Sequence, residues 1–121
     1  MLHVAPAVLS VFLVFYLGST PRELTELPSF EMRDKVGHFF AFAFVQFTHF
    51  RASRFLSPHK PLRDVVTTSV LSATFVGGAL ELWQMMLPHR SAEWGDFGAD
   101  FLGALVMGGA LFAVRRGESS A

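Results

Sequence analysis

The longest uninterrupted apolar run of the chain is the feature that most constrains its fold. This run, Val65 to Leu87, spans 23 residues, and Glu81 is its one charged residue. A helix of this length, rising about 1.5 Å per residue, crosses the ~30 Å hydrocarbon layer of a membrane. A second run, Phe97 to Val114, contains one acid, Asp100, and is rich in Gly and Ala, which let helices pack closely. Both runs predict transmembrane helices.

Two further apolar segments complete the pattern. Leu2 to Gly18 carries no charge, and Val36 to Phe50 is rich in Phe. Hydrophobic residues make up 51% of the chain against 17% charged, and the mean hydropathy is +0.40, a balance typical of membrane proteins. We therefore predict an all-α, integral membrane four-helix bundle, a single domain over residues 1–121. Its predicted spans are approximately residues 2–18, 36–50, 65–87 and 97–114.

Two alternative interpretations of these segments are less favoured. A soluble four-helix bundle would need a polar face on each helix, which the first and fourth segments lack. A cleaved signal peptide would need a basic region and a small-residue cleavage site, which are absent before Thr20. The net charge is zero and there is no Cys. We therefore expect no nucleic-acid partner, no disulfide and no zinc bound by Cys.

The basic residues of the connections predict the orientation of the bundle. The connection from Arg51 to Arg63 carries four basic residues and no acid, and the last segment is followed by Arg115 and Arg116. Short basic connections stay in the cytoplasm. We therefore predict that both termini are cytoplasmic. The connections at residues 19–35 and 88–95 would then face outward.

Polar side chains recur at helical spacing near the predicted outer ends of three segments. Asp34 and His38 are four residues apart, as are Asp96 and Asp100, so each pair shares one helix face. Glu81 precedes Gln84 by three residues and lies on one face with it. An acid inside the hydrocarbon is costly and usually faces the bundle interior, where it finds a partner. We therefore predict one site, formed by these residues and completed by Lys35 and Arg90.

The chemistry of this predicted site stays open between three interpretations. It is a purely structural cluster that joins helix ends, or a binding site for the polar headgroup of an outer-leaflet lipid or lipid-linked precursor. Alternatively it is enzymatic, with a carboxylate and His38 in acid–base roles, or with Glu81, His38 and an Asp holding a divalent metal. We favour binding, with no resident metal or cofactor. The candidate catalytic residues are Glu81, His38 and Asp96, and the predicted binding residues are Asp34, Lys35, His38, Glu81, Gln84, Arg90, Asp96 and Asp100.

Two other histidines are expected to lie outside this site. His49 and His59 flank the basic connection, where we expect them to contact water or lipid headgroups. Trp83 and Trp94 lie near the predicted outer interface, the usual depth for indole rings.

Assembled in order, these residues resemble the VanZ-like family of small bacterial membrane proteins. The resemblance is carried by the Asp34-Lys35-x-x-His38 stretch, by Glu81-x-x-Gln84, by Arg90, and by Asp96 followed by Asp100 and Gly103. It covers roughly residues 34 to 108. It implies a multi-pass protein of the bacterial inner membrane, and one named member of the family is associated with resistance to the glycopeptide teicoplanin. The resemblance implies no reaction.

One position departs from the family pattern. The family usually has Asn where this chain has Asp100. An amide donates and accepts hydrogen bonds, whereas an ionised carboxylate only accepts them. Asp100 is therefore the residue at which the chemistry of this chain is expected to differ.

Overall fold

Four α-helices form the described part of the chain. A computed structural model describes residues 2–19, 33–88 and 94–120, and all of its regular structure there is helical. The helices are α1 (Val4–Ser19), α2 (Arg33–Leu56), α3 (Leu62–Met85) and α4 (Trp94–Ser120). Each overlaps one of the four predicted segments. The all-α, four-helix architecture expected from the sequence is therefore confirmed.

The second helix differs most from its predicted extent. The apolar run at residues 36–50 is short for a span, but α2 has 24 residues because it continues through Arg51 and Arg54. Arg is a good helix former, so polarity does not end the helix. The helix ends at Leu56, and Ser57 is followed by Pro58, which disfavours helical geometry in the residue before it. A polar side chain thus ends an apolar run without ending a helix.

The helices pack so that chain neighbours run antiparallel. His3, before α1, stacks on Phe55 near the end of α2, while Gly18, near the end of α1, approaches Leu80 and Gln84 near the end of α3. The first turn of α4 meets the first turns of α2, where Gly95 approaches Lys35. Helices α2, α3 and α4 all contact one another, and α1 packs on α2 and α3. The starts of α2 and α4 and the end of α3 therefore share one end of the bundle.

The bundle buries polar side chains and exposes large apolar ones. Its small apolar core is formed by Val14, Phe42, Val45, Ala73, Leu80 and Ala104. Gln46, Ser69 and Asp100 are each 0% exposed, whereas Phe12 is 68% and Phe75 79% exposed. Large apolar side chains are exposed on all four helices, among them Phe12, Phe40, Phe75 and Leu102. The outer surface of the described helices is thus suited to an apolar environment.

Two of the four helices meet a length-and-composition criterion for crossing a membrane. These are Leu62–Met85 and Trp94–Gly117. Helix α1 is apolar but has 16 residues, and α2 is long enough but carries His38, Gln46, Thr48 and His49 within its apolar run. Of the four predicted spans, those of α3 and α4 are therefore supported by length and composition.

A glycine allows α2 and α4 to approach at backbone distance. A Cβ placed on Gly103 would overlap the carbonyl oxygen of Phe39 and lie 3.1 Å from the backbone nitrogen of Ala43. Because these are backbone atoms, no rotation of a side chain can relieve the overlap. Any larger residue at position 103 must separate the two helices.

Replacing Gly103 with Ala should therefore destabilise the protein. We expect Gly103→Ala to lower the free energy of unfolding by about 1–3 kcal/mol, the usual effect of overpacking, as measured by circular dichroism in detergent micelles. Gly109→Ala is the matched control, because Gly109 lies on the same helix and its Cβ position has no atom within 4 Å. The control should be neutral or slightly stabilising, since Ala favours helix more than Gly. Equal effects of the two substitutions would contradict this account of the helix contact.

Candidate functional site

His38 lies between two carboxylates of α4. Its Nδ1 is 2.6 Å from Oδ1 of Asp100, and its Nε2 is 3.7 Å from Oδ2 of Asp96. An ionised carboxylate only accepts hydrogen bonds, so against an ionised Asp100 the ring N–H is the donor. The side chain of Asp100 is 0% exposed and that of His38 10%. The pair is therefore a buried, charge-assisted contact between α2 and α4.

Helix geometry explains why these groups meet. Asp96 and Asp100 are four residues apart on α4, so both project from the face that packs on α2. Asp96 lies in the first turn of its helix, where the helix dipole stabilises a negative charge. On α2, Lys35 precedes His38 by three residues, and its Nζ lies 3.8 Å from Oδ1 of Asp96. The Asp96–Asp100 stripe predicted from spacing thus faces His38 and Lys35 of α2.

Glu81 brings α3 into the same cluster. One ligand atom from each of His38, Glu81 and Asp100 can be chosen so that the three atoms lie within 4.8 Å of one another. Glu81 is 8% exposed. Asp100 also faces α3, because a Cβ on Gly77 would lie 3.0 Å from its Oδ2. Three helices therefore contribute ionisable groups to one buried cluster, which we call the His38 cluster: Lys35, His38, Glu81, Asp96 and Asp100.

Gln84 faces a different neighbour. Its Nε2 donates a 3.0 Å hydrogen bond to the carbonyl oxygen of Gly18 on α1. On the preceding residue of the chain, Trp83 Nε1 donates to Oγ of Ser19 at 2.7 Å. These contacts fix the end of α1 against α3. Gln84 thus lies at the same end of the bundle as the His38 cluster, but within the α1–α3 contact.

Two predicted site residues cannot be placed. Arg90 lies outside the described residues, and so does the side chain of Asp34.

An apolar groove opens beside the cluster, between α2 and α4, and Lys35 is the cationic group that the described residues contribute to it. It encloses about 450 Å³ and is lined by Lys35, Val36, Phe39, Phe40, Gly95, Gly98, Ala99 and Leu102. The side chain of Lys35 is 33% exposed, so its ammonium group joins the buried cluster to the outer surface. Phe40 is 66% exposed along the same surface.

A second layer of buried polar contacts was not predicted. Gln46 Nε2 donates to Oγ of Ser69 at 2.7 Å, and His49 Nδ1 lies 2.5 Å from Oγ of Ser72. The expectation that His49 contacts water or headgroups is wrong, because its ring is half-buried and paired across the helix contact. The sequence did contain a pattern that could have predicted these contacts. Gln46 and His49 are three residues apart on α2, and Ser69 and Ser72 are three residues apart on α3, so each pair lies on one helix face. Neutral polar residues in apolar segments are easily overlooked because they interrupt no charge pattern.

The cluster offers imidazole, carboxylate and ammonium groups within one buried volume. Such a set can exchange protons, pair with an anionic group at Lys35, or coordinate a cation. Comparisons of the chain with protein-family models, with curated proteins and with solved structures each found no match. The function must therefore be argued from these contacts.

The pairing of His38 with Asp100 should be measurable as a coupling energy. In a double-mutant cycle of His38→Gln and Asp100→Asn, followed by thermal unfolding in micelles, we expect a coupling above about 1 kcal/mol, since bonds to charged groups are worth about 1.5–3 kcal/mol. The matched cycle of His49→Gln and Ser72→Ala removes another histidine contact of α2, this time with α3 and without a carboxylate. There we expect about 0.6 kcal/mol, the average in membrane bundles. A smaller coupling for the His38 pair than for the His49 pair would contradict the charge-assisted contact.

Proposed function

We propose that this chain is a multi-pass membrane protein of the bacterial cell envelope that binds a phosphate-bearing lipid at its outer face. Membrane insertion is supported by the burial pattern, because each helix turns large apolar side chains outward while polar ones lie inside. Intramembrane polar residues characteristically face a bundle interior in this way. The lengths of α3 and α4 support the same proposal.

The distribution of basic residues supports an orientation with both termini in the cytoplasm. A cavity of about 460 Å³ at the opposite end of the bundle from the His38 cluster is lined in part by His3, Arg51, Arg54 and Arg115. These residues come from the start of α1 and the ends of α2 and α4. Basic connections are retained on the cytoplasmic side. The His38 cluster would then lie near the outer face.

Cysteine labelling tests this orientation cleanly because the chain has no Cys. In intact bacterial cells a membrane-impermeant maleimide should label Pro88→Cys, next to the end of α3. It should label Ser57→Cys, in the connection between α2 and α3, only after the membrane is permeabilised. Labelling of Ser57→Cys in intact cells would contradict the orientation.

The observation that carries the ligand proposal is the groove beside the cluster. Among the described residues its walls are apolar side chains and backbone, with Lys35 as the cationic group. This combination complements an amphiphile whose acyl chains need apolar contact and whose phosphate needs a positive charge. Asp96, 3.8 Å from the Lys35 ammonium, orients the lysine at the groove. The ligand class that fits is an anionic phospholipid or a polyprenyl-phosphate-linked precursor.

Membership of the VanZ-like family belongs to the same proposal. It is supported by the convergence of the residues that carry the resemblance, since Lys35, His38, Glu81, Asp96 and Asp100 come together from three helices. Gly103, the last residue of that pattern, permits the α2–α4 contact. A link to glycopeptide resistance would follow from handling of a cell-wall precursor at this site.

Lipid binding in the groove should depend on Lys35. A bimane fluorophore on Gly98→Cys, a groove position whose Cβ has open space, reports quenching by lipids with brominated acyl chains. We expect brominated phosphatidylglycerol to quench more strongly than brominated phosphatidylcholine at the same concentration. In Lys35→Gln the preference should fall about fivefold, because one lysine near a membrane surface contributes about 1 kcal/mol toward an anionic lipid.

Lys60→Gln is the matched control for this experiment. Lys60 is exposed in the connection at the opposite end of the bundle, so its loss should leave the preference unchanged. Displacement of the brominated lipid by polyprenyl phosphate at lower concentration than by phosphatidylglycerol would identify the precursor as the preferred ligand. Equal quenching by the two brominated lipids in the labelled chain that retains Lys35 would contradict the proposal.

A second candidate function is an intramembrane hydrolase or transferase that uses Glu81, His38 and Asp96. It is favoured by the position of His38, whose two ring nitrogens each face a carboxylate. Such a ring is held in one orientation and can accept or donate a proton. Lipids recovered from the same incubations distinguish the two functions, since an enzyme would change their mass and a binding protein would return them intact.

A further inference from the structure

The inner part of the His38 cluster has the composition of a metal site. His38, Glu81 and Asp100 come from α2, α3 and α4 and can each present one ligand atom within 4.8 Å of the others. A tetrahedral divalent metal with bonds of about 2.1 Å holds its ligand atoms about 3.4 Å apart. The widest separation would therefore need to contract by up to about 1.4 Å, which changes of side-chain torsion can supply.

A buried carboxylate oxygen supplies an independent observation. Asp100 is 0% exposed, and its Oδ2 has no hydrogen-bond partner among the described residues. Its Oδ1, by contrast, is engaged by His38. Oδ2 faces α3 at Gly77, one helical turn before Glu81. A buried oxygen without a partner is costly, and a cation would satisfy it.

The geometry points to a site for a divalent transition-metal ion bound by His38, Glu81 and Asp100. The sequence leads us to expect no resident metal and leaves a metal held by Glu81, His38 and an Asp as an alternative. This inference makes that alternative the assignment, names Asp100 as the Asp, and does not depend on lipid binding. One imidazole nitrogen with carboxylate oxygens is a donor set suited to Mn²⁺ or Zn²⁺ rather than to Mg²⁺ or Ca²⁺, which bind oxygen donors. On metal binding Nδ1 of His38, which otherwise donates to Asp100, would give up its proton and coordinate the ion, and Nε2–H, 3.7 Å from Oδ2 of Asp96, would orient the ring.

Gly77 keeps the space that this arrangement needs. A Cβ at position 77 would lie 3.0 Å from Oδ2 and 3.1 Å from Cβ of Asp100. A side chain there would press on the carboxylate that the metal requires. The glycine of α3 thus allows Asp100 to lie beside α3 instead of turning away from it.

Mn²⁺ is the probe for the test, because its electron spin reports its ligands. We expect one saturable Mn²⁺ site on the full chain in detergent micelles, and spin-echo modulation from a directly bound ¹⁴N nucleus. Zn²⁺ should displace the ion, and Mg²⁺ at the same concentration should not. Asp100→Asn and Glu81→Gln should each weaken binding more than tenfold, and His38→Gln should abolish the nitrogen signal.

Asp64→Asn is the matched control. Asp64 is an exposed acid at the opposite end of α3, paired with Arg63, and its loss should leave Mn²⁺ binding unchanged. If the cluster variants fail to fold, the nitrogen signal of the unsubstituted chain still decides the matter. Absence of saturable binding, absence of the nitrogen signal, or undiminished binding in folded Asp100→Asn would each overturn the inference.

Discussion

The close approach of α2 and α4 is the contact on which the rest of the site depends. Gly103 lies against the backbone of Phe39 and Ala43, and His38 is the residue that precedes Phe39. One turn before Gly103, Asp100 is therefore brought within hydrogen-bond distance of the imidazole. A wider separation of the two helices would leave a buried acid and a buried imidazole unpaired. The close backbone contact at Gly103 and the His38–Asp100 pair thus depend on each other at this level of the bundle.

Polar pairs at two levels fix how the helices align. Near the middle, Gln46 and Ser69 join α2 to α3, and Ser10 and Thr48 lie 3.0 Å apart across α1 and α2. At one end, the His38 cluster joins α2, α3 and α4. Apolar surfaces alone would let helices slide and rotate past one another in lipid, where burial supplies little preference. Hydrogen bonds at two heights of the bundle permit one register.

Much of this arrangement could be predicted from spacing, because helical periodicity places residues on faces. Asp96 with Asp100, and Glu81 inside an apolar run, were sufficient to predict a shared site. The particular pairing could not be predicted, since spacing does not say how far a helix is rotated or which neighbour it meets. Gln84 illustrates this limit: it lies one turn from Glu81, yet it contacts α1. His49 shows a second limit, because a helix that continues past an apolar run buries residues that the run alone would leave at its edge.

The two polar levels differ in chemistry, and the proposed function rests on that difference. The middle pairs are hydroxyl, amide and imidazole groups, which join helices without a carboxylate, and two of their buried atoms, Gln46 Oε1 and His49 Nε2, have no hydrogen-bond partner among the described residues. The His38 cluster instead holds ionisable groups, whose burial costs more than alignment of helices requires. Asp100 shows this difference most clearly, because its carboxylate is fully buried. An Asn at this position, as in the family that the sequence resembles, could donate a hydrogen bond from its amide toward α3. The carboxylate of Asp100 instead presents an acceptor oxygen, Oδ2, toward α3. In the proposed metal site, this carboxylate oxygen is the acceptor that the cation meets.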